Sequence, residues 1–168
     1  MKFLPITLSA VAVACSMAMA PQASAATAAK TFYLDPAIAC QLSTPTIDTA
    51  VRPRATGYRN EGTKNAFMIC GLPYYYSGTS PTSFSIEVAS FDGAEHTFNC
   101  TGVTRWSTGI NPQYSTKSVT ALASGSTNTE WTSADLTMGN FDASITCPIP
   151  PGVAIVSVQI VVNDNIGT

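Results

Sequence analysis

The chain is short of charge. Of its 168 residues, 11% are Asp, Glu, Lys or Arg, and the formal net charge is −2. An average soluble domain carries about 25%. Disordered segments couple low hydrophobicity to high net charge, and this chain has neither feature. Nucleic-acid binders cluster Lys and Arg on a basic surface, which eight basic residues against ten acidic ones do not supply. Histidine occurs once, at His96, so a Ser-His-Asp or Cys-His nucleophilic arrangement has a single base to use. There is no G-x-S-x-G elbow and no C-x-x-C pair of the kind that holds zinc. Long stretches with a 3.6-residue apolar period are also missing, which argues against a helical fold.

One long apolar run is present, and it opens the chain. Lys2 precedes an apolar stretch from Phe3 to Cys15, followed by small residues and Ala23-Ser24-Ala25. This is the form of an export signal, with cleavage expected after Ala25. Cys15 as a lipidated residue lacks a leucine three places upstream, and a membrane anchor is disfavoured by the shortness of the run and by Pro5. Residues 1–25 therefore read as a signal peptide, 26–36 as a flexible lead-in and 37–168 as one domain, exported to the periplasm or the exterior. No other stretch approaches a membrane span.

Removing the signal leaves Cys40, Cys70, Cys100 and Cys147. An even set in an exported chain reads as two disulfides, each contributing about 2–4 kcal/mol. About a quarter of the residues are Ser or Thr, and short alternating segments are divided by Gly, Pro, Asn and Asp. That pattern predicts an all-β antiparallel sandwich, jelly-roll or Ig-like, of eight or nine strands. The candidate strands are 37–42, 55–59, 64–70, 83–91, 95–103, 116–123, 130–138, 141–147 and 153–162.

Two stretches resemble each other, one starting at Asn65 and the other at Asp142. Each has a strand ending in Cys, then Pro, a loop and a longer alternating strand, as two halves of one sandwich would. Alternation of Phe141, Ala143, Ile145 and Cys147 with polar residues points Cys147 inward. Asp92-Gly93 is a hairpin signal, and a loop or bulge there would set Val88 against Phe98 and Ile86 against Cys100. One residue of slip would turn that whole face outward. Sequence does not fix disulfide connectivity, but this hairpin favours Cys70–Cys100, leaving Cys40–Cys147.

An ordered set of short motifs follows the cysteines: Cys40-Gln41-Leu42, Gly57-Tyr58-Arg59-Asn60, Cys70-Gly71-Leu72-Pro73, Phe98-Asn99-Cys100-Thr101 and Thr146-Cys147-Pro148-Ile149-Pro150-Pro151. The set resembles a group of uncharacterised secreted bacterial proteins. Gly71 stands where that pattern has proline. The resemblance implies a disulfide-bonded β-sandwich and brings no activity.

Candidate chemistry is sparse. Tyr74-Tyr75-Tyr76, in a Pro- and Gly-flanked loop, is the most distinctive surface feature, and three successive tyrosines cannot all face a core. Aromatic faces with polar tips suit a glycan or a protein surface, and Trp106, Tyr114 and Trp131 could extend the patch. The blander reading is that these rings cap the end of the sandwich. Glu87 and Glu95 could share an outer face across the expected hairpin, as a carboxylate-based glycan hydrolase needs. Asn163-Asp164-Asn165, or Asn140 with Asp142, have oxygen ligands of the type calcium takes, but such clusters usually make turns. Asn99-Cys100-Thr101 fits a glycosylation acceptor but lies in a strand. Arg52, Arg54 and Arg59, near Lys64, form a basic spot that balances nearby acids. The expectation is a non-catalytic extracellular binding or cell-surface structural module without cofactor or metal, the hydrolase being the alternative.

Overall fold

The computed structural model describes residues 26–47, 49–72, 80–106, 111–138 and 141–166. Along the chain these form β1 (Thr27–Leu34), α1 (Pro36–Ala39), β2 (Cys40–Leu42), β3 (Val51–Arg54), β4 (Gly57–Asn60) and β5 (Ala66–Leu72). There follow β6 (Ser80–Ser90), β7 (His96–Trp106), β8 (Gln113–Ala121), β9 (Ser126–Thr132), β10 (Phe141–Ile149) and β11 (Val153–Asn165). All the strand pairs are antiparallel. One sheet has the order β3-β4-β11-β6-β9, with β1 added on β11, and the other has the order β2-β5-β10-β7-β8. The expected all-β sandwich is the observed fold.

Eleven strands stand among the described residues, against the eight or nine expected. The segment 26–36 is not a loose lead-in, since β1 pairs with β11 from Thr27 opposite Asn165 to Leu34 opposite Val158. Every residue of β1 is exposed or half-buried. Its mixed composition hides the alternation, although Phe32 and Leu34 rest against the core. Strand β3 escapes sequence reading because it is four residues long and holds Pro53, a residue tolerated only at sheet edges. The stretch 37–42 divides into a helical turn and β2. There Asp35 caps α1 by accepting from the Ala37 amide at 2.8 Å.

The two similar stretches occupy matching places. The first supplies β5 and β6, the second β10 and β11, and they pair with each other once in each sheet. Ile145 lies opposite Cys70 and Cys147 opposite Met68, while Val158 lies opposite Ile86 and Ile160 opposite Phe84. Each cysteine then bonds to the strand on its outer flank, giving Cys40–Cys70 between β2 and β5 and Cys100–Cys147 between β7 and β10. The expected pairing of Cys70 with Cys100 and Cys40 with Cys147 is therefore corrected. Its premise fails because β6 and β7 are not a hairpin: they belong to different sheets.

The cause lies at Asp92. Its carboxylate accepts from the Ala94 amide at 2.9 Å and from Ser90 Oγ at 2.8 Å, and it sits 2.9 Å from His96 Nε2. The Phe91 amide donates to the Gly152 carbonyl. These bonds hold 91–95 as a corner that carries the chain from one sheet to the other. The Ala94 amide, His96 and Ser90 together keep the Asp92 carboxyl well below the usual carboxylate range.

Between the sheets, Phe84, Ile86, Val88, Val158 and Trp131 meet Met68, Leu72, Cys100, Val119 and Ile145, all buried. Trp131 is part of this core. Its ring lies against Phe84 with centroids 5.8 Å apart, and its Nε1 donates to the Ser115 carbonyl at 2.9 Å. The indole fits against the opposite sheet because Gly102 has no side chain: a Cβ there would lie 2.7 Å from the ring.

Candidate ligand groove on the five-stranded sheet

Alternation along each strand decides what the outer face of the β2-β5-β10-β7-β8 sheet presents. In β5 the even-numbered positions from Ala66 to Leu72 are buried, which turns Phe67, Ile69 and Gly71 outward. By the same parity Asp142, Ser144 and Thr146 face out from β10, and Thr101, Val103 and Arg105 from β7. Cross-strand partnership then makes one continuous row. Gly71 is opposite Ser144, Ser144 opposite Val103, and Val103 opposite Tyr114. Three steps of about 4.8 Å between strands give this row a span of roughly 14 Å.

The row is low in the middle and high at its ends. Gly71, Ser144 and Val103 are small. At Gly71 a Cβ would find nothing nearer than the Ala39 carbonyl oxygen, at 4.0 Å. Tyr114, 66% exposed, stands at one end. At the other, the β1–α1–β2 crossover between the sheets brings up Ile38, 87% exposed, and Tyr33, 71% exposed. The result is an open depression of about 760 Å³, within the ~300–1,000 Å³ of small-molecule and cofactor sites. Monomeric proteins usually scatter exposed apolar side chains singly, and a cluster around a depression marks an interaction site.

Polar groups line the same depression. Gln41, Ser144, Asp35, Arg105 and Asp142 contribute to its walls. Arg105 and Asp142 are cross-strand partners, with Nε and Oδ2 3.7 Å apart and both side chains more than half exposed. In the next row the hydroxyls of Thr101 and Thr116 bond to each other at 2.9 Å.

The residues singled out in the sequence are distributed unevenly. Tyr74, Tyr75 and Tyr76 lie outside the described residues; in the chain they follow Leu72, which lines the groove. Trp106 closes β7 opposite Phe141, next in sequence to Arg105, and its side chain lies outside what is described. Tyr114 stands on the rim, whereas Trp131 belongs to the core. The groove's central feature, Gly71, was visible in the sequence only as a departure from a motif. Its signal was a glycine at an outward position of a strand whose inward positions are all apolar.

The other candidates have local roles. Glu87 and Glu95 are not cross-strand neighbours, because β6 and β7 part into separate sheets; Glu87 accepts from Ser126 Oγ and from Gln159 Nε2. Asp164 pairs with Lys30 at 3.8 Å. Among the described residues no three His, Cys, Asp or Glu side chains gather as a metal site. The basic spot is offset by Glu61, which Arg54 grips through two bonds of 2.6 Å and Arg52 approaches at 3.9 Å. The Arg54 bond holds the Glu61 carboxyl below its ordinary range. Arg59 lies over the Phe91 ring at 5.0 Å. Asp135 is likewise lowered, first by Lys117 at 2.7 Å and then by the Thr132 amide. No described helix is long and apolar enough to cross a membrane.

No family model and no curated protein matches the chain. A similar solved structure is the family 11 carbohydrate-binding module from Clostridium thermocellum in complex with a beta-1,3-1,4-mixed-linked tetrasaccharide. It is 11% identical, covers 80% of this chain and 86% of its own, and has a TM-score of 0.37. That likeness is too distant to assign a ligand to this chain.

Proposed function

We propose that the protein is an exported, non-catalytic binding module that holds a carbohydrate chain across the outer face of the five-stranded sheet. The carrying observation is the row Gly71–Ser144–Val103–Tyr114: a shallow floor between exposed aromatic and apolar walls, with an amide, a hydroxyl and an ion pair beside it. Sugars offer apolar C–H faces that stack on aromatic rings and hydroxyls that both donate and accept, and the groove supplies partners for both. Export is supported by the form of residues 1–25 and by two disulfides, which persist in oxidising compartments.

A hydrolase reading has one observation in its favour, since Asp35 and Asp142 line the same groove. Their surroundings favour binding. A glycosidase needs one carboxyl kept protonated by apolar or anionic surroundings. Asp35 instead accepts an amide hydrogen as the cap of α1, and Asp142 faces a guanidinium in open solvent.

Affinity electrophoresis through gels containing soluble glucan, xylan, mannan or galactan tests the proposal. Retardation by at least one polymer, lost in Tyr114→Ala without release of reducing sugar, is the expected result. Free migration in every gel would overturn it.

A further inference from the structure

We infer that the groove is built for an uncharged glycan and discriminates against chains bearing uronate or sulfate groups; this deepens the carbohydrate reading and rests on it. The charges lining the groove decide the matter. Among the described lining residues Arg105 is the single cation, and it is engaged by Asp142 across the strands at 3.7 Å. Asp35 adds a second carboxylate, whose described partner is the Ala37 amide and not a cation. Counting Asp35, Asp142 and Arg105, the groove carries one net negative charge. An anionic sugar that accepted from Arg105 would do so beside Asp142, with two carboxylates in the groove repelling it.

A neutral sugar meets no such conflict. The guanidinium offers N–H donors and the neighbouring carboxylate offers acceptors. Two adjacent hydroxyls of one ring can accept from Arg105 and donate to Asp142 with no change in the charge of the site. Charge-assisted bonds of this kind are stronger than bonds between neutral groups. Gly71 keeps the floor open, and the Gln41 amide supplies a further uncharged donor and acceptor. The tyrosines at the two ends are also neutral partners.

The test compares retention of the intact mature protein by neutral polymers (glucan, xylan, mannan, galactan) and by uronate polymers (polygalacturonate, alginate) over a range of salt. The expected result is at least tenfold tighter binding to a neutral polymer. That binding should change little with salt, while any residual uronate binding strengthens as salt screens the repulsion. Asp142→Asn frees Arg105 and removes one negative charge, so it should narrow the preference several-fold. Arg105→Gln should exclude uronate further. Uronate binding equal to or tighter than neutral binding, or weakened by salt as an attraction would be, overturns this inference and leaves the carbohydrate reading standing. Failure of both classes to bind overturns the two together.

Discussion

The side-chain amide of Asn60 donates to the backbone carbonyl of Ile149, which lies 89 residues further along the chain, at 2.8 Å. The same nitrogen donates to the Lys64 carbonyl, and Oδ1 accepts from the Gly62 amide. Asn60 is 1% exposed; its bond to Ile149 is buried and the other two are part-buried. At the start of the same strand Gly57 has φ +130°, and a Cβ there would strike the Ile155 carbonyl oxygen at 2.2 Å. The Gly-x-x-Asn motif is thus a fastening: its glycine lets β4 approach β11, and its asparagine ties β4 to the end of β10.

Asn60→Ala should therefore lower unfolding free energy by about 2–4 kcal/mol, because the buried Ile149 carbonyl and the part-buried Lys64 carbonyl and Gly62 amide lose their partner. Urea denaturation measures this. A loss below about 0.5 kcal/mol, typical of a surface change, would show that the bonds are unimportant.

Gly102 and Trp131 make a second constraint on the core. Gly102→Ala places a methyl carbon within 3 Å of the indole, and overpacking of this kind costs roughly 1–3 kcal/mol. Trp131 emission should shift to the red as the ring is pushed toward water. Unchanged stability and emission would mean that the sheets separate freely at this point.

The corner at Asp92 predicts an acid-labile contribution. A carboxyl whose folded pKa is depressed contributes its full stabilisation above its unfolded pKa, near 4, and loses it as pH falls toward the folded value. Asp92→Asn should accordingly melt lower than the parent at pH 7, and the gap should close as pH falls below 4. Asp135 and Glu61 are depressed by their own cations and serve as unchanged background in both proteins. A gap that stays constant from pH 7 to pH 2 would contradict the ionic role given to Asp92.

Sequence legibility follows the reach of each signal. Alternation is local, so the inward face of Cys147 and most strands could be read directly. The corner at 91–95 could not, because Asp92-Gly93 is compatible with a hairpin. What makes it a crossover is Asp92 binding Ser90, Ala94 and His96 together, with Gly152 arriving from elsewhere in the chain. The disulfide pairing rested on that hairpin and inherited its error. The groove was less legible still. Gly71, Ser144, Val103 and Tyr114 come from four strands, and only sheet order sets them in one row. Tyr114 was noticed as an aromatic ring; its place in one row with a side-chain-free position three strands earlier in the sequence depends on register.

The most direct measurement is the binding of Gly71→Leu to the polysaccharide that retards the parent protein. A Cβ at this position meets no atom closer than 4.0 Å, so the variant should fold and melt like the parent, within about 0.5 kcal/mol. Its side chain would nonetheless fill the floor of the groove. The account predicts loss of retardation by at least tenfold with an unchanged melting curve. Retardation equal to that of the parent, in a variant shown to be folded, would place the ligand elsewhere and contradict the account.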